Sequence, residues 1–416
     1  MFQEKLAQYA QLLIRVGIGL RPGQTLVIRS PVECAELVRL CAAEAYRCGC
    51  REVMVDWRDD VLDRQRYLYA ADEVFDEYPQ RDFISYDIGL GENSALLEFY
   101  VNDPELMAGI DPQRIVRART AKMKSVHGVY QRIYNKTAVQ CTASPPICSW
   151  AKKVFPALSE TEAMTALWEK VFQTLRIDGA HDAVAAWNAR FAQMQQQAKR
   201  LDVLNLKYLH YRNKLGTDLT IELPSDHTWH TCLSNRKGQP YAMNMPSEEI
   251  YTVPCRNGVN GSVYGSIPLV YQGCLIRGLY LRFENGRVVE ASADEGDDKL
   301  KALVAFDEGS HYLGEVALIP NSSLIRKTEM LFYNPLYDEN ASCHLALGMG
   351  IGECIRGGAA MSQDQLSACG VNFSQIHIDF MIGTDDLSII GTDDSGNAIP
   401  IFSNGDFSKD FCAVKI

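Results

Sequence analysis

The stretch GQTLVIRSPVECAELVRLCAAEAYRCGCREVMVDW, residues 23–57, decides the fold of the first half of the chain. GQTLVIRS is an apolar run of strand length, PVECAELVRLCAAEAYRCGC carries its apolar residues at helical spacing, and REVMVDW returns to strand character. Strand, helix and strand in so few residues predict a βαβ unit and a mainly parallel sheet covered by helices. The first strand-to-helix turn, RSPVE, has neither a G-x-G-x-x-G nor a P-loop glycine pattern, which argues against nucleotide binding.

Working outward, MFQEKLAQYAQLLIRVGIGL at residues 1–20 spaces Leu6, Tyr9, Leu13 and Val16 as an amphipathic helix, unlike the continuous apolar core of a signal peptide. DFISYDIGLGENS, residues 82–94, alternates apolar and polar positions and predicts a strand and turn, while residues 160–200 read as mostly helix. Beyond residue 205 the character changes to short alternating runs punctuated by Gly, Asn and Asp, such as LKYLHYRNKLGTDLTIELP, with one helical interruption at DDKLKALVAFDEG. The expected fold is therefore an α/β N-terminal domain over 1–204 with a mainly parallel sheet, followed by a β-rich α+β domain over 205–416.

Composition narrows the function. A formal net charge of -11 over 416 residues lacks the basic footprint of a general nucleic-acid binder. No window approaches the uninterrupted apolar length of a membrane span. The 13 cysteines form no C-x-x-C pair, and CGC at Cys48–Cys50 has the wrong spacing for a zinc ribbon, so reduced thiols in a cytoplasmic protein are expected.

Chemistry concentrates in the second half. In SQIHIDFMIG, residues 374–383, strand alternation puts His377 and Asp379 on one face and Ile376, Ile378 and Phe380 on the other. His344 lies in a Gly-bounded run downstream of Asp338 and Glu339, Glu315 follows Gly314 before an apolar run, and Glu249 or its neighbour Glu248 stands between a proline turn and a strand. Two histidines and three carboxylates suit a carboxylate-bridged pair of divalent ions, and capped turns with buried ion pairs are the other reading. The remaining histidines are weaker candidates: His127, His181 and His210 read as surface or structural, His227 and His230 form an H-x-x-H on extended chain, and His311 precedes Glu315.

The words NMPSEEIYTVP, GEVALIP, NPLYDENASCHLALG, VNFSQIHIDFMIG and AIPIFSNGDF, in this order, resemble the M29 metallo-aminopeptidases, the aminopeptidase T and aminopeptidase S group. The N-terminal residues 18–60 and the junction LHYRNKLGTDLTIELPSDHTW extend the resemblance over essentially the whole chain. It implies that Glu249 rather than Glu248, with Glu315, His344, His377 and Asp379, holds two divalent ions (zinc, cobalt or manganese), and that the C-terminal domain of a homodimer is catalytic. It implies an aminopeptidase that removes N-terminal residues from short peptides with water activated at the metal pair. It gives Glu315 a catalytic part. On such an enzyme Asp338 and Glu339 read either as a hold on the substrate ammonium or as surface or capping residues. One departure stands out. The family continues from the histidine as H-x-A-[LI]-G-x-[AG]-Y, whereas HLALGMGI places Ile351 where that tyrosine would donate a hydrogen bond to the oxyanion. Tyr251, Tyr337 or a water are the candidate substitutes. The alternatives are a metal-binding relative with lost or weakened peptidase activity that binds peptides or regulates, or a metallohydrolase of another small substrate.

Overall fold

The computed structural model describes residues 2–101, 103–134 and 138–416, which divide into two compact units. The first comprises Met1–Arg190 and Leu233–Pro246, the second Phe191–Cys232 and Ser247–Ile416.

In the first unit α1 (Phe2–Leu12) leads to β1 (Thr25–Pro31), α2 (Ala35–Arg47) and β2 (Glu52–Arg58), and β1 and β2 pair in parallel register from Thr25 opposite Glu52 to Pro31 opposite Arg58. After a helix at Asp60–Tyr69 come α3 (Gln80–Gly89), β3 (Ser94–Phe99), α4 (Pro112–Tyr134) and β4 (Val139–Ala143). The short strand Asn244–Met245 completes an all-parallel sheet in which β1 lies between β2 and β3, and β4 lies between β3 and Asn244–Met245. Leu26, Val27, Ile28, Leu96 and Leu97 are fully buried, as expected of strands covered on both faces.

Residues 82–94 correct the sequence reading. They form most of α3 and its exit turn, and the strand begins at Ser94. Ile84, Tyr86, Ile88 and Leu90 alternate in sequence, but only Tyr86 and Leu90 are buried, against Val27 and Leu96, while Ile84 is exposed. A spacing of four on one packed face is helical, and tertiary packing overrides the alternation. A side chain at Gly89 would crowd Leu96 and Val27 at about 3 Å, so the helix lies close on the sheet there.

At the carboxyl ends of β1, β2 and β3 sits a buried charge cluster. Arg29, 3% exposed, stacks on the Tyr86 ring at 3.6 Å and reaches Asp56 at 3.1 Å and Glu98 at 4.0 Å. The Tyr86 hydroxyl donates to Glu98 at 3.0 Å, Ser85 donates to Asp56 at 2.8 Å, and Arg58 lies 3.9 Å from Glu98.

The second unit is built on two antiparallel sheets. An eight-stranded one runs, in spatial order, Arg287–Ser292, Tyr280–Glu284, Val259–Tyr264, Asp218–Glu222, Tyr208–Arg212, Ser388–Thr392, Ala398–Ser403 and Asp406–Phe407. The other has five strands, β5 (His230–Thr231), β6 (Ile250–Thr252), β7 (Leu313–Leu318), β8 (His344–Gly348) and β9 (His377–Met381), in the order β9-β8-β7-β6-β5. The helix expected at DDKLKALVAFDEG is present at Asp297–Val304.

Candidate metal centre

The five-stranded sheet sets the site by register. Tyr251 lies opposite Ala317, Ala317 opposite His344, and His344 opposite Met381. Two residues along, Glu315 pairs with Ala346 and Ala346 with Asp379, and Gly348 then pairs with His377. Directly opposed residues share a face, so Glu315, His344, His377 and Asp379 project from one side of the sheet. Leu345, Leu347 and Phe380 fill the other side and are buried. Between the polar groups stand only Ala317, Ala346 and Gly348, which leave volume above the sheet for the longer side chains to converge.

Two backbone features aim these groups. The register of β7 slips between Leu313 and Glu315, making Gly314 the extra residue of a bulge. A side chain at Gly314 would lie 2.3 Å from the Met349 carbonyl, so the close approach that aims Glu315 needs glycine. Gly348 has φ +105, and a side chain there would meet the Ile376 carbonyl at 2.1 Å.

The polar atoms meet tightly. Nε2 of His344 lies 3.7 Å from Glu249, 3.8 Å from Glu315 and 3.9 Å from Asp379, and Nε2 of His377 lies 3.1 Å from Glu315 and 3.4 Å from Asp379. Ligand atoms of Glu249, Glu315 and His344 fall within 4.8 Å of one another, as do those of Glu315, His377 and Asp379, and Glu315 belongs to both groups. Its Oε1 faces His344 and its Oε2 faces His377. Each imidazole rests its Nδ1 on a backbone carbonyl, His344 on Ser342 at 3.3 Å and His377 on Met349 at 2.7 Å, which turns Nε2 toward the carboxylates.

Electrostatics mark the cluster as short of positive charge. Burial and then the Glu315 charge push the Glu249 carboxyl well above its ordinary range. Against the opposing effect of burial, His344 and His377 hold Glu315 low, and the surrounding carboxylates raise both imidazoles. Divalent cations facing both Nε2 atoms would offset the same carboxylate charge. Buried carboxylates and imidazoles with Nε2 facing inward are the donors that borderline divalent ions take, so the residues present fit a metal pair.

Structure separates neighbours that sequence could not. The backbone N–H of Glu248 donates to the Asn340 side chain at 3.0 Å, whereas the Glu249 carboxylate faces His344. Asp338 braces its own turn, accepting from the backbone N–H groups of Phe332 at 2.7 Å and Asn334 at 3.0 Å. Glu339 feels the cluster instead: burial and then the charges of Asp379 and Glu249 raise its carboxyl far above the usual value. Ile351 is half-buried and packs against the cluster of Tyr251, Ala317 and Ile355. Tyr337 is buried and stacked on Phe332 at 4.8 Å, while Tyr251 donates to Glu353 at 3.3 Å.

Among the described residues the other histidines lie outside both groups. His181 pairs with Asp178, His210 with Asp218, and His227 with the Pro224 carbonyl. His230 contacts the Thr228 hydroxyl at 2.9 Å, and the side chain of His127 lies outside the described residues. Sequence reading did not find the bulge at Gly314 or the small residues between the donors. The signal was present in G-E-V-A and H-L-A-L-G, where alanine or glycine recurs two residues from each polar group.

Comparison with known proteins agrees with this geometry. The family described as thermophilic metalloprotease (M29) matches residues 2–407. Aminopeptidase AmpS of Bacillus subtilis (strain 168) is 40% identical over 408 residues, 98% of this chain and 99% of that protein. Aminopeptidase T of Thermus aquaticus is 36% identical over 409 residues, 97% of this chain and 98% of that protein. The solved structure of wild-type AmpT from Thermus thermophilus superposes with a TM-score of 0.91 at 33% identity, covering 98% of this chain and all of that one. The chain belongs to the M29 metallopeptidase family, in its aminopeptidase S and T group.

Proposed function

We propose that the chain is a metal-dependent aminopeptidase that removes N-terminal residues from short peptides. The observation that carries this reading is the place of Glu315 in both donor groups. Glu249, Glu315 and His344 would hold one divalent ion, and Glu315, His377 and Asp379 the other, with zinc, cobalt or manganese as the candidate metals. Bound there, the pair supplies Lewis acidity and a water acidic enough to act as nucleophile near neutral pH. Glu315, shared by the two donor groups, would take the catalytic part of orienting the attacking water. The backbone carbonyls of Ser342 and Met349 keep both imidazoles in one tautomer, and Glu339 offers its carboxylate to the substrate's α-ammonium. The names of the relatives support N-terminal cleavage of peptides. We further infer a cytoplasmic homodimer, on the family resemblance and on thirteen cysteines that form no disulfide, which suit a reducing compartment. Among the described residues no helix is long and apolar enough to cross a membrane.

Ile351 favours a second reading, a metal-binding relative with weak or no peptidase activity, because its aliphatic side chain packs into the apolar cluster and offers no donor. The test is hydrolysis of aminoacyl amides and dipeptides by metal-loaded protein, with a chelated control and the variants Glu315→Gln and Ile351→Tyr. The first reading expects metal-dependent turnover that collapses in Glu315→Gln. Full turnover by the chelated protein would falsify it. An inert wild type that gains activity in Ile351→Tyr establishes the second reading, and no hydrolysis by either at full metal occupancy points to another small substrate.

A further inference from the structure

Resting on the aminopeptidase reading, we infer that Tyr251 supplies the hydrogen bond to the oxyanion that forms on the scissile carbonyl. Within the five strands of the site sheet, the face bearing Glu315, His344, His377 and Asp379 carries one hydroxyl, that of Tyr251. The register puts Tyr251 in the same cross-strand row as His344 with only Ala317 between them. Two strand spacings separate their backbones by about 10 Å, and Ala317 puts only a methyl group between the two side chains. The ring is held in place: it is 3% exposed, packs with Ala317 and Val253, and lies 6.0 Å from the His230 ring on the neighbouring strand.

The hydroxyl has a loose partner. Its bond to Glu353 is 3.3 Å, against about 2.7–2.8 Å for an ordinary O–H···O bond. Glu353 sits two residues beyond Ile351, so the phenol already reaches the loop that Ile351 opens. Rotation about the C–O bond would turn the proton from Glu353 toward a carbonyl oxygen that gains negative charge as the tetrahedral species forms, and the length of the Glu353 bond keeps the cost of that exchange low. Tyr337 does not compete, since its ring is stacked on Phe332 within the turn that Asp338 braces.

The test compares wild type with Tyr251→Phe, which keeps the ring and deletes the hydroxyl. Metal content, thermal midpoint, kcat and KM on a dipeptide, and calorimetric affinity for an aminoalkylphosphonate that mimics the tetrahedral anion are measured on metal-loaded protein. The expected result is a kcat lower by about 10²- to 10³-fold, phosphonate binding weakened by a comparable factor, and unchanged KM, metal content and thermal midpoint. Equal kcat and equal phosphonate affinity overturn the inference, as does a loss of rate that follows loss of metal or of thermal stability. An active wild type with an unaffected Phe variant removes only the role of Tyr251. A fully metal-loaded wild type that cleaves no peptide removes the aminopeptidase reading and this inference with it.

Discussion

Each unit buries a knot of charged side chains at its sheet, and the two knots are composed differently. In the first unit Arg29, Arg58 and the nearby Lys122 face Asp56 and Glu98, with Tyr86 and Ser85 donating to the carboxylates while Arg29 Nη1 and Arg58 Nε keep no hydrogen-bond partner among the described residues. In the second, Glu249, Glu315, Asp379 and the nearby Glu339 face two imidazoles. In the first, each carboxylate has a guanidinium beside it. The second has an excess of like charge that only added protons or cations can offset. A buried cluster that closes on itself is architecture, whereas one left short of positive charge reads as a site for something that is not part of the chain.

This contrast can be broken in several ways. The largest effect is expected from Glu315→Gln, which takes the shared carboxylate from both groups: peptide hydrolysis should fall by roughly 10³-fold or more, with the fold intact by circular dichroism. Arg29→Leu should instead destabilise the protein by about 3–5 kcal/mol in denaturant titrations, because it leaves buried carboxylates without their partner. Adding Asp56→Asn, which removes the charge nearest Arg29 and keeps an acceptor for Ser85, should recover part of that loss, and a double variant no better than the single one would deny that Arg29 and Asp56 offset one another. Metal at a hundredfold excess over its dissociation constant should stabilise wild type by about 2.7 kcal/mol, read as a raised thermal midpoint that Glu315→Gln largely abolishes. The smallest effect is expected from Ala346→Val, which narrows the space between Glu315 and Asp379. It should cost about 1–3 kcal/mol of metal affinity by calorimetry, and a full-strength metal response would show that the small residues are incidental.

Much of this was legible in the chain because it depends on short-range pattern. The βαβ unit of residues 23–57 follows from apolar runs of the right lengths, and the shared face of His377 and Asp379 follows from alternation. Residues 82–94 were misleading for the same reason, since alternation in sequence and helical spacing of the buried pair Tyr86 and Leu90 coexist there. The convergence of Glu249 with His344 and of Glu315 with Asp379 rests on inter-strand register, which a single sequence does not contain. The separation of Asp338 from Glu339 rests on which carboxylate the backbone N–H groups of Phe332 and Asn334 happen to occupy.

The segment Leu233–Pro246 leaves the second unit after β5 and supplies the strand Asn244–Met245 to the first unit's sheet before the chain reaches Glu249. Recombination therefore meets a threaded architecture. A hybrid joined once near residue 205 would take four strands of the parallel sheet from one parent and the fifth from the other, so their side chains would have to match across that seam. A clean exchange of the half that carries the candidate metal centre between relatives needs three crossovers, one on each side of this segment as well as the one upstream, which ties the inheritance of the site to that of a sheet that carries none of its donor groups.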